Sequence, residues 1–172
     1  FESMVALVHT SCGQRRSPLA LGISLIEILK AKVCGVMNVG DLTLASASLR
    51  RKQLLVDVGL VFKIARADID ESPIKGEKAE DYVLRLSEEK ARVVAPRHQD
   101  GVILAADTTV VLGGDILGKP ESEAHGVEML RRLSANTHKV LTGVSVINRY
   151  RQESFLTSST GVFKEISLPE IL

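Results

Sequence analysis

The chain contains no tryptophan, and aromatic residues make up only 3% of its 172 positions. A stacking platform for single-stranded bases needs several rings on one surface, so this scarcity argues against that mode of nucleic-acid binding. An excess of one charge is also missing: 22 Lys and Arg stand against 21 Asp and Glu, a formal net charge of +1. Bulk attraction to a polyanion is therefore not expected, and nucleic acid is not a partner on this reading. The two cysteines, Cys12 and Cys34, have no Cys or His cluster at metal-ligand spacing. A reduced, cytoplasmic protein is the expectation. No uninterrupted apolar run is long enough to span a bilayer, and neither an internal repeat nor a low-complexity linker is present.

A hydrophobic content of 45% is enough for one packed domain, or for one domain with an appendage. Residues 1–40 read differently from the rest and form an N-terminal extension. Ser17 and Pro18 suit a helix start, and apolar spacing through Leu29 predicts one amphipathic helix ending near Gly35. Arg15 and Arg16 precede that apolar stretch, but Glu27 and Lys30 interrupt it and no small-residue cleavage site follows, so an export signal is not predicted. Residues 41–172 carry regular alternation. A strand at 42–45 leads to a helix over 49–58 stopped by Gly59, then a strand at 62–67, an acidic turn at 67–73 and a long helix over 77–94 ended by Pro96. A buried strand at 101–112 follows, with a Gly113-Gly114 turn, a helix over 122–133, and strands at 140–147 and 154–163 joined by a polar turn. The pattern predicts an α/β fold with a mixed, twisted sheet flanked by helices.

Three segments suggest chemistry. LASASLRRKQLL at 44–55 places Ser46, Ser48, Arg50 and Arg51 where a strand gives way to a helix start; backbone N–H groups, helix dipole and two guanidinium groups there would favour an anion. Asp107 lies inside the otherwise apolar AADTTVVL at 105–112. An isolated charge there would cost several kcal/mol unless paired, hydrated or metal-bound, which predicts that it faces a cleft. GKP at 118–120 puts Lys119 on a stiff loop beside a helix start. Taken singly, each feature has an ordinary structural explanation: solvated arginines, a strand-end aspartate, a surface lysine. Glu71 and Lys90 carry even less alone, as part of an acidic turn and the wet face of the long helix.

Taken together and in order, LASASLRR, ADIDE at 67–71, YVLRLSEEKA at 82–91, AADTTVVL, ILGKP at 116–120 and MLRRLSANTHKVLTGV at 129–144 resemble the Maf-like nucleotide pyrophosphatases. This resemblance implies an architecture shared with the inosine-triphosphate pyrophosphatases. It also implies a cytoplasmic homodimer that cleaves a nucleoside triphosphate between the α and β phosphates, a divalent cation (Mg2+ or Mn2+), and a role in restraining septum formation. Asp107 matches the proton-acceptor position. Ser46, Arg50, Arg51, Glu71, Lys90 and Lys119 match pocket positions, with Glu71 and Asp107 as the metal-holding pair. Arg51 and Thr108 match positions tied to base selection, and the ArgArg and AspThr pairs look like the dTTP/UTP branch rather than the 7-methyl-GTP branch. Whether Asp107 accepts the proton of water or holds the cation stays open at this level.

Two departures from the family pattern are visible. Leu49 replaces the usual Pro, a tolerable change because Leu is a good helix former. Family members also continue past the position of Leu172 through a glycine-rich turn and a glutamine that helps select the base. The expectation is a C-terminally truncated domain with apolar surface uncovered at Val144, Val146, Phe155 and Val162. Two functions follow as alternatives, a pyrimidine-triphosphate pyrophosphatase and a non-catalytic nucleotide-binding or division-regulating homologue.

Overall fold

Two parallel crossovers set the architecture of this computed structural model, which describes residues 42–98, 100–167 and 170. Strand β1 (Leu42–Leu44) feeds helix α1 (Leu49–Asp57), which returns the chain to β2 (Lys63–Ile64); α2 (Ala79–Val94) then crosses to β3 (Val102–Leu112). β1 pairs in parallel with both β2 and β3. The two crossovers step in opposite directions across the sheet, so the right-handed rule sends α1 and α2 to opposite faces. Gly113 and Gly114, at φ 62° and 98°, turn β3 back into β4 (Asp115–Leu117), the left-handed backbone that glycine adopts at least cost. After α3 (Glu123–Leu133), strands β5 (Thr137–Ile147) and β6 (Gln152–Val162) form a hairpin. The six-stranded sheet runs β2-β1-β3-β5-β6, with β4 also on β3. This is the mixed, helix-flanked α/β sheet expected from the pattern.

Side-chain alternation along β3 assigns each face its own core. Leu104 and Ala106 pack with Leu42, Leu44, Val144 and Leu55 of α1, whereas Ile103 and Ala105 pack with Ala45 and with Ala91 and Val94 of α2. A third cluster joins Tyr82, Val83 and Leu86 of α2 to Leu141, and a fourth lies under α3 around Met129, Leu133 and Phe163. Contact between α2 and the sheet is closest at Gly143, where an added Cβ would stand 2.3 Å from the Val83 carbonyl oxygen. Only glycine permits that approach.

Several boundaries differ from the sequence reading. The strand expected at 62–67 shrinks to Lys63–Ile64, because its partner β1 is itself only three residues long. α2 begins at Ala79 because the Glu77 carboxylate is turned back onto the loop, accepting from the Ile74 N–H at 3.1 Å. β5 begins three positions earlier than expected, since the polar trio Thr137, His138 and Lys139 already pairs with β6 and buries only its middle member. The predicted exposure of Val144 is overturned: it is 1% exposed, enclosed by α1-side packing that also half-covers Val146 and Phe155. Val162 is exposed as expected. The helix predicted over 17–29 and the rest of the extension lie outside the described residues.

Candidate functional site

An interruption in the sheet positions the site. β5 lines one edge of β3 from Ile103 to Val111, so β1 and β4 must share the other. Along β3, β1 pairs only as far as Leu104, and pairing with β4 starts at Val110. Among the described residues, no strand covers that edge of β3 across Ala105 to Thr109. Asp107 and Thr108 lie within this gap, at the carboxyl end of β1 where open α/β sheets commonly bind ligands. Being consecutive in a strand, they point to opposite faces.

On the α1 face, the chain leaves β1 at Ala45 and the short loop closes on itself. Ser46 Oγ accepts from the Ser48 N–H at 3.1 Å, and Ser48 caps α1 by accepting from the Arg51 N–H at 3.3 Å. Capping fixes the first helical turn and aims Arg51 inward. Its Nη1 donates to Ser46 Oγ at 3.4 Å and its Nη2 to Thr108 Oγ1 at 3.1 Å. Thr108 in turn stands 3.1 Å from the hydroxyl of Thr142, its partner across β5. The result is a guanidinium tied to the hydroxyls of Ser46 and Thr108 at the positive end of a helix.

The α2 face is built from full charges. Lys90 Nζ donates to Asp107 Oδ1 at 2.6 Å and pairs with Glu71 Oε1 at 2.7 Å, while Lys119 Nζ donates to Glu71 Oε2 at 2.9 Å. Lys90 and Asp107 are both buried. Isolated, either ion would be very costly there; joined, they satisfy each other. Asp107 Oδ2 has no partner among the described residues. Burial pushes the Glu71 carboxyl upward, but the hydrogen bonds from Lys90 and Lys119 outweigh it and hold the group at about 2. Tyr82 is pushed up to about 12, first by burial and then by the nearby charges of Asp107 and Glu71.

The structure thus brings Asp107, Glu71, Lys90 and Lys119 into one network, and Ser46, Arg51 and Thr108 into another. The two adjoin at the Asp107–Thr108 peptide and lie on opposite faces of β3. Arg50, half-buried at the start of α1, has no hydrogen-bond or ion-pair partner among the described residues. Sequence reasoning missed Thr142, Gly143 and the polar role of Tyr82. Thr142 and Gly143 carried a signal in the LTGV run, where a hydroxyl and a glycine break an apolar strand. Tyr82 carried none beyond its apolar ring.

A family model described as Maf-like protein matches residues 41–172. The dTTP/UTP pyrophosphatase of Myxococcus xanthus is 48% identical over 130 residues, covering 76% of this chain and 66% of the relative. That of Hahella chejuensis is 48% identical over 133 residues with the same coverages, and that of Anaeromyxobacter dehalogenans 51% identical over 105 residues, 61% of this chain and 52% of the relative. The chain spans two thirds or less of these relatives' length. Among solved structures, the Staphylococcus aureus Ham1 protein overlaps at a TM-score of 0.48 and 14% identity, covering 70% of each chain, too loose a likeness to define the fold. The family match covers the sheet, α1 and α2 and every residue of both networks, and on it the chain belongs to the Maf-like family.

Proposed function

We propose that this chain hydrolyses nucleoside triphosphates of the dTTP and UTP type to the monophosphate and pyrophosphate. The observation that carries the reading is the convergence of Asp107, Glu71, Lys90 and Lys119 beside Arg51 and Thr108, at a break in the sheet edge. Relatives named dTTP/UTP pyrophosphatases support the substrate class. Water adds to phosphorus, the anhydride bond between the α and β phosphates breaks, and pyrophosphate departs with the bonding electrons. Asp107 Oδ2 accepts the proton of that water, while Lys90 keeps Oδ1 fixed. Arg50, Arg51 and Lys119 neutralise phosphate charge, the main requirement in phosphoryl transfer. Thr108 and Arg51, tied to each other, face the base.

The donor set suits a hard divalent cation. Glu71 and Asp107 present carboxylate oxygens to one ammonium group, and no third His, Cys, Asp or Glu joins them among the described residues. A site with two carboxylates, completed by phosphate oxygens and water, matches Mg2+ or Mn2+. Held by Glu71 and Asp107, such a cation would screen the phosphates and make bound water more acidic.

The family resemblance alone supports a homodimer, a cytoplasmic site of action and a part in restraining septum formation; light scattering on the purified chain tests the first. No helix among the described residues is long and apolar enough to cross a membrane. The activity is tested by pyrophosphate release from dTTP, UTP, CTP and purine triphosphates with added Mg2+ or Mn2+. Release from dTTP and UTP in preference to the others is expected. Nucleotide binding without release would leave a non-catalytic nucleotide-binding protein instead.

A further inference from the structure

Glu71 sits on a stretch that forms no helix or strand between Ala65 and Lys78, yet both its carboxylate oxygens are held by lysines from different parts of the chain. Something must fix that loop. One face of α2 supplies the means. The Tyr82 hydroxyl donates to the Glu71 carbonyl at 2.9 Å, and Arg85 Nη2 donates to the next carbonyl, Ser72, at 3.2 Å. The same guanidinium grips Glu77 at the far end of the loop through Nε at 2.6 Å and Nη2 at 2.8 Å. It also stands 5.7 Å from the centre of the Tyr82 ring. Glu77 then accepts from the Ile74 N–H, closing the loop on itself.

We infer that Tyr82 and Arg85 form a two-point clamp that positions Glu71 against Lys90 and Lys119, making both of them positioning residues for the proposed reaction. Their spacing supports a joint role: 82, 85 and 89 fall on one stripe of α2, and Lys90 stands on the same helix, so the clamp and Lys90 move as one body. None of these bonds is needed to form the helix, and Arg85 serves the loop through its planar fork, which reaches a carboxylate and a carbonyl together. Without the clamp, Glu71 would depend on the two lysines alone, one of them largely solvent-exposed.

The inference rests on the pyrophosphatase reading, and the experiment separates the two. Arg85→Met, Arg85→Lys and Tyr82→Phe are compared with Leu133→Val, which loosens the separate core under α3 and serves as a control for general destabilisation. Hydrogen exchange of residues 70–77 and steady-state kinetics are both recorded. Arg85→Met should lower kcat about 30-fold with a smaller change in KM, the scale expected when a charged group is misplaced by a fraction of an ångström. Arg85→Lys, which keeps one strong donor but not the fork, should recover part of that loss, and Tyr82→Phe should show a smaller loss. Faster exchange should be confined to residues 70–77 in all three. The clamp is refuted if exchange there is unchanged, or if Leu133→Val with an equal fall in Tm loses as much kcat. If Arg85→Met does not fold, Tyr82→Phe, which removes a single hydroxyl, decides by the same two readouts. A wild-type chain that releases no pyrophosphate would sink the activity, while exchange at 70–77 would still decide the clamp.

Discussion

Asp107 and Thr108 are neighbours in β3 and belong to two different polar systems. On Thr108's side a guanidinium rests among neutral hydroxyls contributed by β1's exit loop, β3 and β5. Across the sheet, on Asp107's side, two carboxylates and two ammonium groups come from four separate elements and neutralise one another. The first system sets one guanidinium at a helix start, where the dipole and backbone N–H groups also favour an anion. The second is balanced, so phosphate must compete with Glu71 for Lys119 and with two carboxylates for Lys90. The contrast suggests a division of labour: the Arg51 side selects and holds the nucleotide, whereas the Asp107 side converts it.

The largest effect should come from Gly143→Ala, which attacks the packing on which the Asp107 side depends. Gly143 is paired with Asp107 across the ladder, and its new methyl group would collide with the Val83 carbonyl, backbone that cannot give way cheaply. α2 must shift, taking Tyr82, Arg85 and Lys90 with it. A loss of about 3 kcal/mol of stability is expected, at the upper end for overpacking. Urea denaturation measures it, and an unchanged midpoint would mean that α2 is not seated as described.

Asp107→Asn comes next and separates the two sides cleanly. The amide keeps the shape of the carboxylate but cannot accept the proton, so kcat should fall by about 100-fold or more. Because the Arg51 side is untouched, nucleotide affinity measured by calorimetry should stay within a few-fold. Thr108→Val is the opposite probe. It removes the hydroxyl that Arg51 and Thr142 share and should raise KM about 10-fold while kcat moves less, the pattern of a lost binding contact. Should Thr108→Val lower kcat as much as Asp107→Asn, the division of labour fails.

What is legible in the sequence follows from distance along the chain. Ser46, Ser48 and Arg51 lie within one turn of a helix start, so local rules for caps and dipoles suffice to read them. Asp107 is legible as a charge out of place in an apolar strand. Lys90 and Glu71 are not, since nothing in their neighbourhoods tells that they meet at Asp107; the family resemblance supplies them. Tyr82 reads as a core ring, which it is, but its hydroxyl contact with Glu71 depends on how a loop folds back over α2. The same blindness to long-range packing leaves Thr137, His138 and Lys139 outside the strand they begin, whereas the exposure expected of Val144 comes from the longer C-terminus of family members and fails because packing on the α1 side encloses it. The gap between β1 and β4 along β3 is likewise a product of pairing, invisible to periodicity.

The clamp over Glu71 also predicts a pH dependence for the Asp107 side. Hydrogen bonds from Arg85 are the main cause that holds the Glu77 carboxyl below its ordinary value of 4.5. A depressed carboxyl pKa stabilises the fold fully above the unfolded value and loses that contribution as pH falls through the folded one. The stability difference between wild type and Glu77→Gln should therefore be constant at neutral pH and shrink progressively below 4.5. Urea midpoints recorded across the acid range provide the check, and a difference that grows in acid would reverse the assignment.

The smallest effect sharpens the comparison most finely, because it uses two caps with the same hydrogen-bond pattern. Ser48 accepts from the N–H three residues on at 3.3 Å, and Ser122 does the same for α3 at 3.1 Å. Replacing either with Ala should cost about 1 kcal/mol, the usual value of such a cap. As stability defects the two variants are therefore matched. They differ in what the helix start carries: Arg51, whose backbone is the capped N–H and whose guanidinium reaches Thr108, stands at the first, while the capped N–H at the second belongs to His125, which takes part in neither network. Ser48→Ala should thus weaken triphosphate binding several-fold, whereas Ser122→Ala should leave it unchanged at the same loss of stability. Calorimetric titration with a non-hydrolysable pyrimidine triphosphate, alongside thermal midpoints for both variants, makes the test. Equal affinity in the two would show that the start of α1 is an ordinary helix start, and that Arg51 does not owe its aim to its cap.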